Sequence, residues 1–294
     1  MRFLPRPPPI FTHRNIKFNL LIINFMNKKI GLFWLRDDFR ISKNNGLIEA
    51  TLKYDQVVVF YLYKKLTYKY QEAQKWWLSK SLIYFRKNLE KFNINLEIIE
   101  TESFKIFFDK LFKKNDFSFY WNKVYEPDYL KFDDYLIKNF KNKKVSYKLC
   151  KGNTLNEIDE VKKNDGTPFK VFTPFWRTAE KYYIEKIPSK EKLIKKCLKS
   201  KNYFKNSINP KEILPNNNWF KNFENSWLPS EENALKELRN FIKNKINNYT
   251  DSRNFPNIIG TSKLSPFIKF GQIHVETIWN ECEKIKPKNL GISK

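Results

Sequence analysis

The residues best placed to do chemistry lie near the end of the chain, in Gly260-Thr261-Ser262-Lys263-Leu264-Ser265-Pro266. Gly260 permits a tight turn. Thr261, Ser262 and Ser265 bring hydroxyl donors to the start of a helix, where the first backbone N–H groups have no intrahelical acceptor. Such a cluster suits a phosphate or a diphosphate, and Lys263 adds positive charge. A plain N-cap uses the same residue types, so this turn alone does not separate helix anchoring from anion binding. Two other segments stand out. Trp34-Leu-Arg-Asp-Asp-Phe-Arg40, followed by Asn44 and Asn45, places charged groups just past a first strand. Gly166–Arg177 (GTPFKVFTPFWR) is dense in aromatics and prolines within a Lys- and Asn-rich stretch.

Several chemistries are argued against. The chain has no GxGxxG or GxxxxGK[ST] pattern and only seven glycines, against a dinucleotide fingerprint or a P-loop. His13 and His274 are the only histidines, and Cys150, Cys197 and Cys282 lie far apart. Neither a metal centre nor a disulfide framework follows, and a reducing cytoplasm is the expected compartment. No apolar run approaches the roughly 20 residues that span a bilayer.

The elements that must position these residues alternate. Ile30–Leu35 and Val57–Leu62 read as strands buried on both faces. Helical character covers Gly46–Tyr54, Gln71–Phe92, Phe104–Phe112 and Tyr129–Phe140. Ile94–Ile99, Phe117–Trp121 and Val145–Leu149 read as further strands. The alternation predicts α/β: a five-stranded parallel Rossmann-like sheet with helices on both faces over residues 29–150. Residues 151–227, punctuated by five prolines, read as a connector with short helices. From 228 to 294 the pattern is helical. Ser230, Glu231 and Glu232 open a helix through Ala234, Leu238 and Phe241, and Pro266–Glu283 reads as a second helix.

The formal net charge is +25 in 294 residues, with 47 of the 56 basic residues Lys. It fits a polyanionic partner, and equally a codon bias towards Lys, Asn and Ile. Residues 1–28 hold no acid and a Pro7-Pro8-Pro9 run. They read as an extension, either a start placed upstream of Met26 or a leader.

Together the segments resemble the photolyase/cryptochrome family, in its class I-like branch that repairs cyclobutane pyrimidine dimers. The resemblance rests on FWLRDDFRISKNNGL, on NKVYEPDYLKFD (Asn122–Asp133), on GTPFKVFTPFWR, and on YTDSRNFPNIIGTSKLSPFIKFGQI. It runs from about Lys29 to the C-terminus. It implies an antenna domain, an interdomain connector and the start of an all-helical FAD-binding domain. The implied activity is deoxyribodipyrimidine photo-lyase, a carbon–carbon lyase driven by blue light through reduced FAD, of which this chain is expected to be an incomplete and inactive part. The alternatives are a cryptochrome-like photoreceptor and a stand-alone chromophore- or nucleotide-binding α/β module.

By the resemblance, Tyr249, Thr261, Ser262, Lys263, Leu264 and Ser265 bind FAD, and Arg253 contacts double-stranded DNA that carries a pyrimidine dimer. Asp128 and Tyr129 border an antenna site for methenyltetrahydrofolate or a deazaflavin. They stand where some folate binders have an amide and a carboxylate. Tyr125 and Glu126 are expected to be structural. A monomer without membrane attachment is expected. The resemblance places the main catalytic surface beyond residue 294. From it we expect weak or no FAD binding, a loosely packed C-terminal third, and Leu264, Phe267, Ile268, Phe270 and Ile278 without partners.

Overall fold

The computed structural model describes residues 29–64, 71–114, 116–184 and 192–285. The extension at residues 1–28 lies outside them. Two apolar runs form the middle of the architecture, β1 (Ile30–Leu35) and β2 (Val57–Tyr63), buried along nearly their whole length. Strands covered on both faces belong at the centre of a parallel sheet. β3 (Asn95–Glu100), β4 (Phe117–Asn122) and β5 (Tyr147–Cys150) complete it. All pairs are parallel, in the order β3-β2-β1-β4-β5. Phe33 lies beside Val59 on one side and Tyr120 on the other.

The crossovers are α1 (Asn45–Lys53), α2 (Glu72–Glu90), α3 (Phe104–Leu111) and α4 (Pro127–Asn142). The two-residue period of a strand divides the core. Phe33, Leu35, Val57 and Val59 pack with α1 and α2. Leu32, Trp34, Val58 and Phe60 pack with α3 and α4. The fold is the expected Rossmann-like α/β sheet, with each predicted element within two residues of its observed bounds.

The connector holds more structure than its prolines suggest. α5 (Phe172–Ile184) runs through the aromatic segment, where only short helices are expected. Pro174 sits in its first turn, where a missing N–H leaves no bond unmade. Further on the connector covers the edge of β3. Ile208 N donates to Ile98 O at 2.8 Å, and Glu97 accepts the N–H groups of Tyr203 (2.8 Å) and Phe204 (2.7 Å). A sheet edge covered in this way cannot template further strands.

A short turn, α6 (Phe223–Ser226), leads to α7 (Glu231–Asn244). Ser230 Oγ accepts the N–H of Asn233 at 3.1 Å, which is the expected cap. α8 (Tyr249–Ser252), α9 (Ser265–Lys269) and α10 (Val275–Glu283) follow. The single helix read over Pro266–Glu283 is therefore two. Gly271 breaks it in a left-handed conformation (φ +59°), and a Cβ there would stand 2.0 Å from the Asp37 carbonyl oxygen. His274 opens the next helix, its Nδ1 accepting Glu276 N–H at 3.1 Å.

The expected loose packing is also corrected. Leu264, Phe267 and Phe270 are at most 4% exposed, and Ile278 packs against the same core as α2. Trp77 of α2 meets Phe267 at 5.1 Å and Trp227 at 5.4 Å. Of the five residues named, Ile268 stays exposed, at 38%. The α/β unit itself covers the apolar faces that the sequence leaves unassigned.

Candidate functional site

Doubly wound sheets bind ligands beyond the carboxyl ends of their strands, where the strand order reverses. Here that point lies between β1 and β4, and the chain fills it. Arg36 leaves β1 and donates from Nη1 to Asp133 Oδ1 at 3.0 Å and from Nη2 to the Asn122 carbonyl. Its guanidinium stands 4.9 Å from the Tyr129 ring and 5.0 Å from Trp34. Asp133 also accepts Trp121 Nε1–H at 3.0 Å. Asn122, ending β4, donates to Asp38 and to Asn44 Oδ1, while its own Oδ1 accepts Gly46 N–H at 2.7 Å. Burial raises the Asp133 and Asp38 carboxyls, opposed by Arg36 and Arg40 respectively. Burial also lowers the Arg40 guanidinium to about 10, opposed by Asp38 and Glu231. The WLRDDFR segment is thus a buried, hydrogen-bonded knot, which closes the usual entry.

Beside the knot opens a cavity of about 670 Å³. Tyr61 and Tyr63 at the end of β2, Ser103 and Phe104 opening α3, and Asp128, Tyr129 and Phe132 of α4 line it. Tyr129, Phe132 and Asp133 follow at i, i+3 and i+4, so one face of α4 both lines the cavity and grips Arg36. Lys64, Lys105 and Lys269 also border the space, and Lys269 Nζ meets Glu126 Oε1 at 3.0 Å. Lys105 is likewise paired, with Asp109 at 2.7 Å, so the rim carries both signs of charge, and the aromatic walls suit a flat conjugated ligand. The sequence singles out Asp128 and Tyr129 and misses the three lysines. They come from three distant segments, and no spacing signals their meeting. Tyr125 Oη donates to Glu157, and burial followed by that bond raises the phenol above its usual range. Its bond ties α4's approach to the connector.

The second candidate region forms around Gly260. A Cβ there would lie 2.4 Å from Ser252 Cβ, so glycine lets the 260–265 turn touch the end of α8. That contact places Tyr249, Arg253 and the turn in one region. The Tyr249 ring packs edge-on to Phe241 at 5.4 Å and carries the Arg253 guanidinium at 5.5 Å. Thr261, Lys263 and Ser265 are exposed, and Ser262 is half-buried with its Oγ accepting Leu264 N–H at 3.4 Å. Lys263 takes a left-handed φ of +55°, with Nζ 5.9 Å from the Trp227 ring. Lys245 Nζ reaches the Thr261 carbonyl at 3.5 Å. Leu264 turns its side chain into the core, so only its backbone can serve a ligand.

α9 spans five residues, and its N-cap position, Leu264, supplies no side-chain bond. The hydroxyls of Thr261 and Ser265 are therefore not consumed as caps. Exposed hydroxyls and one cation fit the diphosphate end of a dinucleotide. Among the described residues, no His/Cys/Asp/Glu group suited to a metal ion occurs. Also among them, no helix is long and apolar enough to cross a membrane.

The chain thus joins a five-stranded parallel α/β sheet with a lateral cavity to short helices that carry an exposed hydroxyl turn. The family model "DNA photolyase" matches residues 31–192, and the chain belongs to that family. It is 28% identical over 253 residues to a deoxyribodipyrimidine photo-lyase of Agrobacterium fabrum, covering 85% of this chain and 52% of that protein. It is 30% identical over 261 residues to the corresponding Buchnera aphidicola protein, covering 83% and 51%. The crystal structure of a bacterial class III photolyase from Agrobacterium tumefaciens superposes with a TM-score of 0.78 at 26% identity, over 90% of this chain and 55% of that one. The chain thus spans about half the length of these relatives.

Proposed function

We propose that the chain serves a light-driven deoxyribodipyrimidine photo-lyase, with residues 29–150 as the antenna unit, 151–227 as the connector and 228–294 as part of the FAD-binding helical region. The observation that carries this reading is the convergence of Tyr249, Arg253 and Thr261–Ser265 in a member of this family, with the hydroxyls of Thr261 and Ser265 unbonded among the described residues. When bound, reduced FAD would supply the light-driven electron that opens a cyclobutane pyrimidine dimer.

In this reading the chain's own residues do the holding. The hydroxyls of Thr261, Ser262 and Ser265 donate to the diphosphate, the Leu264 N–H holds Ser262 Oγ in place, and Lys263 balances the charge. Tyr249 borders the ribityl side. Arg253, held over the Tyr249 ring, meets a phosphate of damaged double-stranded DNA. The cavity beside Asp128 and Tyr129 takes the antenna chromophore, a methenyltetrahydrofolate or a deazaflavin. Its aromatic walls seat the ring system.

Fluorescence titration with FAD tests the turn, using riboflavin as a control without diphosphate. FAD should bind measurably better, and a Ser262→Ala/Lys263→Ala variant should lose about tenfold, the value of one charge-assisted hydrogen bond. Equal affinity for riboflavin, or an indifferent variant, would count against it. Titration with each antenna candidate, followed by Tyr129→Ala, tests the cavity in the same way. Repair of dimer-containing oligonucleotides under blue light tests the activity.

A further inference from the structure

We propose that a second cavity, bounded by α2, the edge of β3 and the connector, binds a free aliphatic α-amino acid by its carboxylate and its ammonium group. This site shares no residue with those assigned above and needs no flavin. The cavity measures about 330 Å³, at the lower end of the range for small-molecule sites. It forms because the cover over β3 stops short. Successive peptide groups of a strand point to opposite sides. Thr101 N–H donates to the Tyr63 carbonyl at 2.9 Å, so Asn95, Glu97 and Ile99 turn their peptide groups towards β2. Leu96 and Ile98 therefore face outward. The connector serves Ile98, through Ser207 Oγ at 2.9 Å and the Ile208 N–H at 2.8 Å. Ser207 stands opposite Ile99 in antiparallel register, so the donor due to the Leu96 carbonyl is residue 210. That residue is Pro210, which has no N–H. Its own carbonyl accepts Ser79 Oγ at 2.8 Å instead. The Leu96 N–H is left without a partner among the described residues, in a residue that is 6% exposed.

Charges of both signs flank that peptide. Arg86 of α2 reaches the Leu96 carbonyl at 3.5 Å, a long contact that leaves most of the guanidinium donors uncommitted. The group is half-buried, and burial, opposed by Glu90, lowers its pKa. Glu90 follows one turn later on the same face of α2, at the exposed rim. Glu97 also borders the cavity, but its two oxygens already accept the Tyr203 and Phe204 N–H groups. The Leu96 N–H and the Arg86 guanidinium are both donors and together suit one carboxylate. Glu90 is an acceptor for an ammonium group. A simple anion leaves Glu90 facing a like charge, and a simple cation does the same to Arg86, so the two signs together select a zwitterion. Ile94, Leu96 and Ile208 line the remaining wall and favour an aliphatic side chain.

Equilibrium dialysis of the full chain with radiolabelled L-leucine tests the site. The competitors are 4-methylpentanoate, which lacks the ammonium group, and 3-methylbutylamine, which lacks the carboxylate. One leucine should bind per chain, saturating below about 10 mM. The amine should compete about tenfold less well, the value of a charge-assisted hydrogen bond, and 4-methylpentanoate about threefold less well, the value of an exposed ion pair. Arg86→Gln should weaken leucine about tenfold. Glu90→Gln should abolish the preference for leucine over 4-methylpentanoate, a change of selectivity that a merely structural residue would not give. Circular dichroism checks that each variant keeps the fold, and Glu90→Gln, an exposed replacement, tests the site even where Arg86→Gln does not fold. Absence of saturable binding up to about 10 mM overturns the assignment and marks the cavity as a hydrated gap. Competition by either analogue as strong as by leucine overturns it too. So does a folded Arg86→Gln variant with the parent's affinity, or a Glu90→Gln variant with the parent's selectivity.

Discussion

Arg36 and Asp133 meet at 3.0 Å with side chains that are 2% and 4% exposed. Both ions were stripped of water to reach that geometry, and the Trp121 and Asn122 hydrogen bonds complete their coordination. Removing one partner of such a pair leaves the other charge buried alone. Asp133→Asn should therefore cost about 3 kcal/mol or more, read as a lowered urea midpoint. An Arg36→Met/Asp133→Leu double replacement should recover much of that loss, since apolar packing replaces the pair without an orphaned charge. Double-variant stability no better than that of Asp133→Asn would show that the cavity wall needs the ions themselves. His274 gives the pH counterpart. Burial, then the charge of Arg40, lowers its imidazole from 6.5 to about 3. Between those values the unfolded chain binds a proton that the folded chain does not, so stability is full above pH 6.5 and falls as the pH drops. The loss should reach about 2 kcal/mol at pH 5. Urea titrations at pH 7 and pH 5 should show it, with a smaller pH difference in His274→Asn.

At the scale of elements, the legible parts were those where one physical signal dominates. β1 and β2 are continuous apolar runs too short for a typical helix, and a parallel sheet covered on both faces buries such segments. The Ser230 cap was legible because its side-chain oxygen needs only a local N–H three residues on. The elements that were not legible depend on distant partners. α5 hides behind Pro174 and a row of aromatics that read as a connector. Pro174 is tolerated because it falls in the first turn, and the aromatics are ordered by Trp279, about a hundred residues later. The break at Gly271 is set by the Asp37 carbonyl, again far away in sequence. The cavity's lysines were invisible for the same reason, whereas Asp128 and Tyr129 were reached through a local motif. Gly271→Ala tests the break directly. It forces a side chain into a left-handed backbone and against Asp37, so a loss above about 2 kcal/mol is expected from the strain of both. A variant as stable as the parent would mean that α9 and α10 can re-form as the single helix the sequence suggested.

At the scale of the molecule, one nine-residue loop, residues 36–44, holds the two halves together. Glu231 of α7 accepts the N–H groups of Ile41 (2.7 Å) and Ser42 (3.0 Å). Arg40 donates to the Gly271 carbonyl at 2.9 Å, Phe39 N–H to Phe270 O at 3.2 Å, and Lys43 pairs with Glu276 at 3.1 Å. Beneath the loop, Gln272 is fully buried between helices of both halves, accepting Trp77 Nε1–H at 3.0 Å and donating to Ser81 Oγ at 3.1 Å. This interface joins apolar burial to polar groups that have no water to fall back on, so neither half can leave without exposing both. The halves should therefore unfold as one cooperative unit. Far-ultraviolet circular dichroism, which reports on all the helices, and tryptophan fluorescence, which weights Trp77 and Trp227, should give coincident urea transitions. Gln272→Met keeps the volume and leaves Trp77 Nε1 without its acceptor, while Ser81 keeps its bond to the Trp77 carbonyl at 2.7 Å. The unsatisfied indole N–H costs about 1–3 kcal/mol, so the single transition should shift to lower urea with its slope unchanged. Two separated transitions in the parent would instead mean that the C-terminal helices rest on the sheet as an independent body, and that the loop steers their docking without sharing their stability.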